Sequence, residues 1–88
     1  MDNQRSLKEI AEEIIRDWNP PSYSAQPYLD AMLTMDSIDD MYGADTGTSI
    51  VAYFICYAHS WRGPTASRVK KELIDMLASA RLQRGGDR

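Results

Sequence analysis

The chain of 88 residues contains one cysteine, one histidine and one phenylalanine, and these scarcities exclude several classes of protein. A single cysteine cannot form an internal disulfide or a zinc site with several thiolates, so the fold depends on its own core. The longest nonpolar run covers only residues 50–58, which is too short to cross a bilayer. The amino-terminal stretch is charged where a secretory signal would be apolar. The sequence therefore predicts a cytoplasmic protein with no membrane association.

The nonpolar run is the centre of the predicted fold. Residues 46–62 read TGTSIVAYFICYAHSWR, and a helix that is hydrophobic nearly all round belongs in the middle of a fold. The same residues would suit a buried strand. A strand must pair with another strand, however, and no other segment has the alternating or β-branched character of one. Asp45 and Thr46 supply N-cap chemistry, and Gly63 supplies a carboxyl-terminal stop. We therefore predict a central helix over this segment.

Two amphipathic helices are predicted before the nonpolar run. Ser6 opens a capping-box pattern that begins a helix over about residues 7–18, and the two prolines that follow end it. Ser24 is the predicted N-cap of a second helix, which has Pro27 in its first turn and ends near residue 35.

Two further elements complete the predicted fold. Residues 36–43, DSIDDMYG, predict a single short helical turn that Gly43 closes in the left-handed conformation. Proline suits the first position of a helix, so the last helix is predicted from Pro64 to about Leu82. The predicted class is all-α: a single domain spanning residues 1–88, with four helices and one short helical turn around the apolar helix. Its ordered core should cover about residues 6–83, followed by a frayed carboxyl-terminal tail.

The net charge of −3 conceals a strong asymmetry along the chain. Residues 30–45 contain five aspartates and no basic residue, whereas residues 62–88 contain seven basic and three acidic residues. Such a two-ended chain can associate with a charged partner or with a second copy of itself.

The acidic segment, residues 30–45, predicts a protein-binding surface, because a row of carboxylates can imitate a phosphate backbone. The partner would then be a nucleic-acid-binding protein with a basic groove. The residues assigned to this surface are Asp30, Asp36, Asp39, Asp40, Tyr42 and Asp45. Calcium-loop spacing is absent from the segment, and helix capping explains Asp36 and Asp45, so no metal site is predicted.

A second candidate site lies at the corner that joins the last two helices. The amino terminus of a helix attracts anions, and basic side chains flank this one. The residues assigned to a phosphate-bearing ligand are Trp61, Arg62, Thr65 and Arg68. In the alternative and preferred interpretation, Trp61 packs inward and Arg62 pairs with an aspartate of the acidic segment.

Enzymatic and DNA-binding functions are weighed against simpler explanations. Cys56 and His59 have the spacing of a nucleophile and its base, but Cys56 lies in the most apolar run, where burial opposes the thiolate. We therefore expect a buried core cysteine, no catalytic residues and no cofactor. The last helix carries basic residues that would suit DNA, namely Arg68, Lys70, Lys71, Arg81 and Arg84. The acidic chain as a whole opposes direct DNA binding.

The blocks PYLDAM, DSIDDMYGADTG and IVAYFICYAHSWRG follow one another in this chain, within roughly residues 10–77. With them the chain resembles a family of short, uncharacterised bacterial and prophage proteins. The resemblance carries no activity, but it implies a phage or mobile-element setting. In that setting, small proteins often bind and disable a host defence component or sequester its nucleotide signal.

Together these patterns predict a non-enzymatic binding protein that acts through an acidic, tyrosine-rich surface, and the resemblance implies that it inhibits a host defence protein. Exposed tyrosine and tryptophan favour recognition, and the chain has tyrosines at positions 23, 28, 42, 53 and 57. The alternatives are a sponge that sequesters a phosphate-bearing nucleotide at the Trp61–Arg62 corner, and a structural or assembly protein of a phage particle. A homodimer is a further expectation from the two-ended charge.

Overall fold

The computed structural model describes residues 5–43 and 45–85, without the side chains of Tyr42 and of residues 81–85. Four helices follow the predicted order and confirm the all-α class: α1 Leu7–Asp17, α2 Gln26–Met32, α3 Gly47–Tyr57 and α4 Pro64–Gly85. A pair of two-residue strands, β1 Met41–Tyr42 and β2 Asp45–Thr46, lies between α2 and α3. Helix α4 ends at Gly85, three residues after its predicted end at Leu82, and residues 86–88 of the predicted tail (84–88) fall outside the described residues.

The first helix begins where the capping box predicts. The Ser6 hydroxyl accepts a hydrogen bond from the Glu9 amide at 3.1 Å, and the Glu9 carboxylate accepts one from the Ser6 amide at 3.0 Å. Both orphan amides of the helix end are thereby satisfied. One face of α1 is buried through Leu7, Ile10 and Ile14.

The predicted cap of α2 was wrong: Ala25 is the N-cap, and it makes no side-chain capping hydrogen bond. The hydroxyl that accepts a hydrogen bond from the Ala25 amide, at 3.3 Å, belongs to Ser22, whereas Ser24 is exposed. The Ser22 carbonyl also accepts bonds from the amides of Ala25 and Gln26, so a turn leads directly into the helix. The helix ends at Met32, about three residues before the predicted end.

Residues 36–43 form a turn and a strand instead of the predicted helical turn. The Asp40 amide donates to the Ser37 carbonyl at 3.0 Å, and the Asp40 carboxylate accepts bonds from the amides of Asp36 and Ser37. A short acidic side chain that binds nearby amides offers the backbone an alternative to a helix. Gly43 has the predicted positive φ, +63°, and it lies between the two antiparallel strands.

The helix α3 starts at its predicted cap but ends early. The Thr46 hydroxyl accepts a hydrogen bond from the Ser49 amide at 3.2 Å. The helix ends at Tyr57 rather than near Arg62, and the Trp61 amide then donates to the Ala58 carbonyl in a turn. This turn directs the Trp61 side chain into the core, where only 2 % of its surface is exposed.

Burial of α3 is one-sided, which contradicts the expectation of a helix enclosed nearly all round. Ile50, Val51 and Phe54 face the core, whereas Tyr53 is 51 % exposed and Cys56 is exposed. An 88-residue chain has three other helices to place around α3, and its main helix contacts are with α2 and α4. Part of its surface therefore stays open to solvent.

Glycine at position 47 allows α3 to approach the acidic segment closely. A Cβ atom at Gly47 would lie 2.4 Å from the Ile38 carbonyl oxygen. The Gly47 amide also donates to the Asp40 carbonyl at 2.8 Å. The turn at Asp40 is therefore held against the first residue of α3 by backbone contacts.

An aromatic cluster joins α1, α3 and the segment before α4. The rings of Trp18 and Trp61 are stacked at 5.7 Å with an angle of 8°, and Phe54 meets both edge-on. The Lys70 ammonium closes the cluster from α4, because it donates to the Trp61 carbonyl at 2.6 Å. Among the described residues, no helix combines the length and apolarity needed to cross a membrane.

Candidate functional site

The acidic segment presents most of its carboxylates to solvent. Asp30 lies on the outer side of α2, Asp36 and Asp39 lie in the turn, and Asp45 lies in β2; all four are exposed. Within residues 5–43 and 45–80, none of them forms an ion pair within 4 Å. The side chain of Tyr42, the remaining apolar member of the predicted surface, is outside the described part of the chain.

Asp40 differs from the other aspartates of the predicted surface. Its carboxylate accepts hydrogen bonds from the Asp36 amide at 2.9 Å and from the Ser37 amide at 3.2 Å. The side chain is half-buried because it points back into its own turn. Asp40 therefore shapes the acidic segment, while its neighbours face outward.

The structure does not bring the predicted anion site together. Trp61 packs inward, and its indole N–H donates to the Asp17 carboxylate at 2.8 Å, so neither ring face is open to a nucleotide base. Arg68 forms an ion pair with Glu13. Arg62 is exposed but makes no ion pair within the described residues, so the expected pairing with the acidic segment is absent there.

Carboxylates also occupy the surface beside the amino terminus of α4. Thr65 contributes to a shallow pocket whose other lining residues are Glu13, Arg16 and Asp17. Two acidic side chains at the opening disfavour a phosphate group, because like charges repel. The corner therefore combines a helix amino terminus with surroundings of mixed charge.

An ion-pair network that the sequence did not reveal ties the start of the chain to α1 and α4. Arg5 contacts Glu72 through two nitrogens, at 2.7 and 3.2 Å, and its guanidinium also lies 2.7 Å from Glu13. Arg68 contacts the other oxygen of Glu13. The contacts that reach α4 join residues 67 positions apart (Arg5 and Glu72) and 55 positions apart (Glu13 and Arg68), so no local spacing rule could have paired them.

The network shifts the protonation equilibria of its members in opposite directions. The hydrogen bond from Arg5 lowers the pKa of Glu13, with a smaller contribution from Arg68, while burial acts in the other direction. The hydrogen bond to Glu72 raises the pKa of Arg5. Both charged forms are therefore favoured in the folded protein.

Lys70 lies outside this network. Burial lowers the pKa of Lys70, and the nearby charge of Arg62 adds to that effect.

A second exposed surface is aromatic rather than acidic. Tyr28 of α2 stacks on Tyr57 at 5.6 Å and 7°, and it contacts Tyr53 at the same distance. With Ala52 and Cys56, which are also exposed, these tyrosines form what we call the tyrosine face. The expectation of a buried core cysteine was wrong, because Cys56 lies on the side of α3 opposite to the core.

The basic residues of α4 are largely occupied by other groups of the protein. Lys70 binds the Trp61 carbonyl, Lys71 lies 3.1 Å from Asp75, and Arg68 pairs with Glu13. The side chains of Arg81 and Arg84 lie outside the described residues. The described part of α4 thus resembles a helix neutralised by its surroundings more than a surface that reads DNA.

Metal-ligand clustering is absent from residues 5–43 and 45–80: no three side chains of His, Cys, Asp and Glu gather there. Comparison of the chain with protein-family models, with curated proteins and with solved structures finds no match in any of the three.

Proposed function

We propose that this chain is a non-enzymatic binding protein that occupies a basic surface of a protein partner through its acidic segment. The observation that supports the proposal is the state of its carboxylates. Asp36, Asp39 and Asp45 are exposed and have no cationic partner among the described residues, while Glu13 and Glu72 are paired. Unpaired exposed carboxylates can bind a basic partner without first losing an internal ion pair.

The acidic segment is held in one shape before any partner arrives. Its backbone is bonded to the start of α1, because the amides of Leu7 and Lys8 donate to the carbonyls of Asp36 and Met35 at 3.2 and 3.0 Å. The Asp40 carboxylate and the contact at Gly47 fix the turn from the other side. A surface that is already ordered loses less conformational entropy on binding.

The chemistry of the partner follows from the charge. A row of aspartates on a fixed turn fits a groove lined by Lys and Arg, such as one that binds nucleic acid. Attraction between opposite charges accelerates association and weakens as salt screens it. In the phage setting implied by the sequence resemblance, occupation of such a groove would inhibit a host defence protein.

The proposal is tested by capturing partners from a bacterial host lysate and then measuring binding to each purified candidate. Asp36→Lys with Asp39→Lys should weaken binding by more than about 100-fold at low salt, because two attractions become repulsions. Both side chains are exposed, so the fold should survive. Asp40 is left unchanged because its carboxylate is part of the turn.

A matched control separates this surface from overall charge. Glu12→Lys with Asp75→Lys makes the same change in net charge on exposed positions of α1 and α4. Binding by the control variant should weaken by less than about fivefold at low salt, since distant charges are screened. Equal weakening by both double variants, or binding that is insensitive to salt, would contradict a role for the acidic segment.

A further inference from the structure

The tyrosine face is an exposed aromatic surface that has no role in binding through the acidic segment. Tyr53 and Tyr57 are 51 % and 41 % exposed, and both rings contact the ring of Tyr28. The Ser22 hydroxyl donates to the Tyr57 carbonyl at 3.4 Å, which places the next residue, Tyr23, near the same end of α3. Tyr23 is 91 % exposed. Exposed tyrosines grouped in this way are typical of protein interfaces.

The charge of α3 indicates which partner fits this face. Residues 47–57 contain no Asp, Glu, Lys or Arg, although these make up 26 % of the chain. In a two-fold symmetric contact the same patch meets itself, so any net charge on it would repel its copy. A neutral aromatic face is therefore suited to a second copy of this chain.

The two ends of α3 carry opposite charges, and this fixes a direction. Asp45 is exposed just before the helix, while Arg62 is exposed and makes no ion pair within the described residues five positions after it ends. Two parallel helices would place like charges side by side. Two antiparallel helices bring the end that follows Asp45 alongside the end that precedes Arg62 in the second copy, so the opposite charges attract, and they also align the helix dipoles favourably.

We propose that the chain forms a two-fold symmetric homodimer in which α3 packs antiparallel against α3 of the second copy through the tyrosine face. The face is small, because an 11-residue helix is about 16 Å long. A contact of this length is short for a protein interface, so weak association is expected. The dimer engages Asp45 of the acidic segment but leaves Asp36 and Asp39 free, and it does not depend on the function proposed above.

Sedimentation equilibrium of the full chain over a range of concentrations tests the proposal. Wild-type protein should show a monomer–dimer equilibrium, and Ala52→Glu should raise its Kd by more than about 100-fold by placing a charge in the neutral face. The control Ala78→Glu introduces the same charge on an exposed position of α4 and should leave the Kd unchanged. A monomer at all concentrations, or equal effects of both variants, would overturn the proposal.

Charge exchange tests the antiparallel direction. Asp45→Arg and Arg62→Asp should each raise the Kd by about tenfold, because like charges would then face each other. The double variant exchanges the two charges and should return the Kd to within about threefold of the wild-type value. If the double variant is weaker than either single variant, the two residues do not meet in the dimer and the antiparallel arrangement is wrong.

Discussion

Two charged regions of this molecule use the same chemical groups in opposite ways. In the first, Glu13 and Glu72 are held by Arg5 and Arg68, and the contacts connect the start of the chain, α1 and α4. In the second, the carboxylates of the acidic segment face solvent, with no cationic partner among the described residues. The first region links separate parts of the fold, whereas the second is shaped by backbone contacts and by the Asp40 carboxylate, and its other aspartates are exposed.

Backbone contacts and the Asp40 carboxylate, rather than ion pairs, fix the acidic segment, and Gly47→Ala should disturb this arrangement most. The added methyl group would meet the Ile38 carbonyl oxygen at 2.4 Å, so the turn and α3 must move apart. We expect the free energy of unfolding in urea to fall by about 2 kcal/mol. Ser67→Ala, at an exposed position of α4, is the control and should change it by less than about 0.5 kcal/mol. An unchanged midpoint for Gly47→Ala would mean that this close contact does not hold the segment.

Removal of the charge at Glu13 should show the contribution of the ion-pair network. Glu13→Gln keeps the shape of the side chain but removes the charge that Arg5 and Arg68 share. The network is partly exposed, so the expected loss of unfolding free energy is about 1 kcal/mol. Glu12→Gln, on the exposed side of the same helix, is the control. If the two variants are equally stable, the network does not stabilise the fold.

The stability difference between wild type and Glu13→Gln should also depend on pH. Arg5 lowers the pKa of Glu13 in the folded state, so the unfolded chain binds this proton more tightly. The stabilising effect is complete above about pH 4.3, the ordinary pKa of glutamate, and is lost as the pH falls through the lower folded-state value. The stability difference between wild type and Glu13→Gln should therefore shrink in acid. A stability difference between wild type and Glu13→Gln that stays constant from about pH 3 to about pH 7 would contradict the coupling between Arg5 and protonation of Glu13.

The smallest effect is expected in the acidic segment itself. Asp36→Asn with Asp39→Asn removes two exposed charges that have no internal partner among the described residues. The free energy of unfolding should change by less than about 0.5 kcal/mol, and relief of repulsion between aspartates favours a small gain. A loss of more than about 1 kcal/mol, measured by urea denaturation, would show that these carboxylates stabilise the fold after all.

Local rules predicted the elements of this fold that depend on neighbouring residues. The capping box at Ser6, the N-cap at Thr46 and the left-handed Gly43 appear as expected, because each needs only a few adjacent residues. The same rules failed where a side chain could form hydrogen bonds with more than one nearby amide. Asp40 binds two amides of its own turn, and the Ser22 hydroxyl, rather than that of Ser24, accepts a bond in the turn before α2.

The candidate surfaces were only partly predictable for the same reason. The exposure of Asp36, Asp39 and Asp45 follows from their charge, because carboxylates without partners remain in water. A tyrosine-rich surface was predicted, but its place on an exposed side of α3 was missed, since the apolar residues of α3 do not indicate how many helices are available to cover them. A helical wheel of residues 47–57 contains one relevant signal: Ala52, Cys56 and Tyr53 lie on the side opposite Val51 and Phe54.

The sequence by itself determined the all-α class, the order of the four helices and the acidic segment, because capping, helical periodicity and charge act over a few residues. Only the tertiary structure decided that Trp61 packs on Trp18, that Arg5 joins Glu13 to Glu72, and that one side of α3 remains exposed. Those outcomes depend on which surfaces meet when the helices pack together, and that choice is a property of the whole chain.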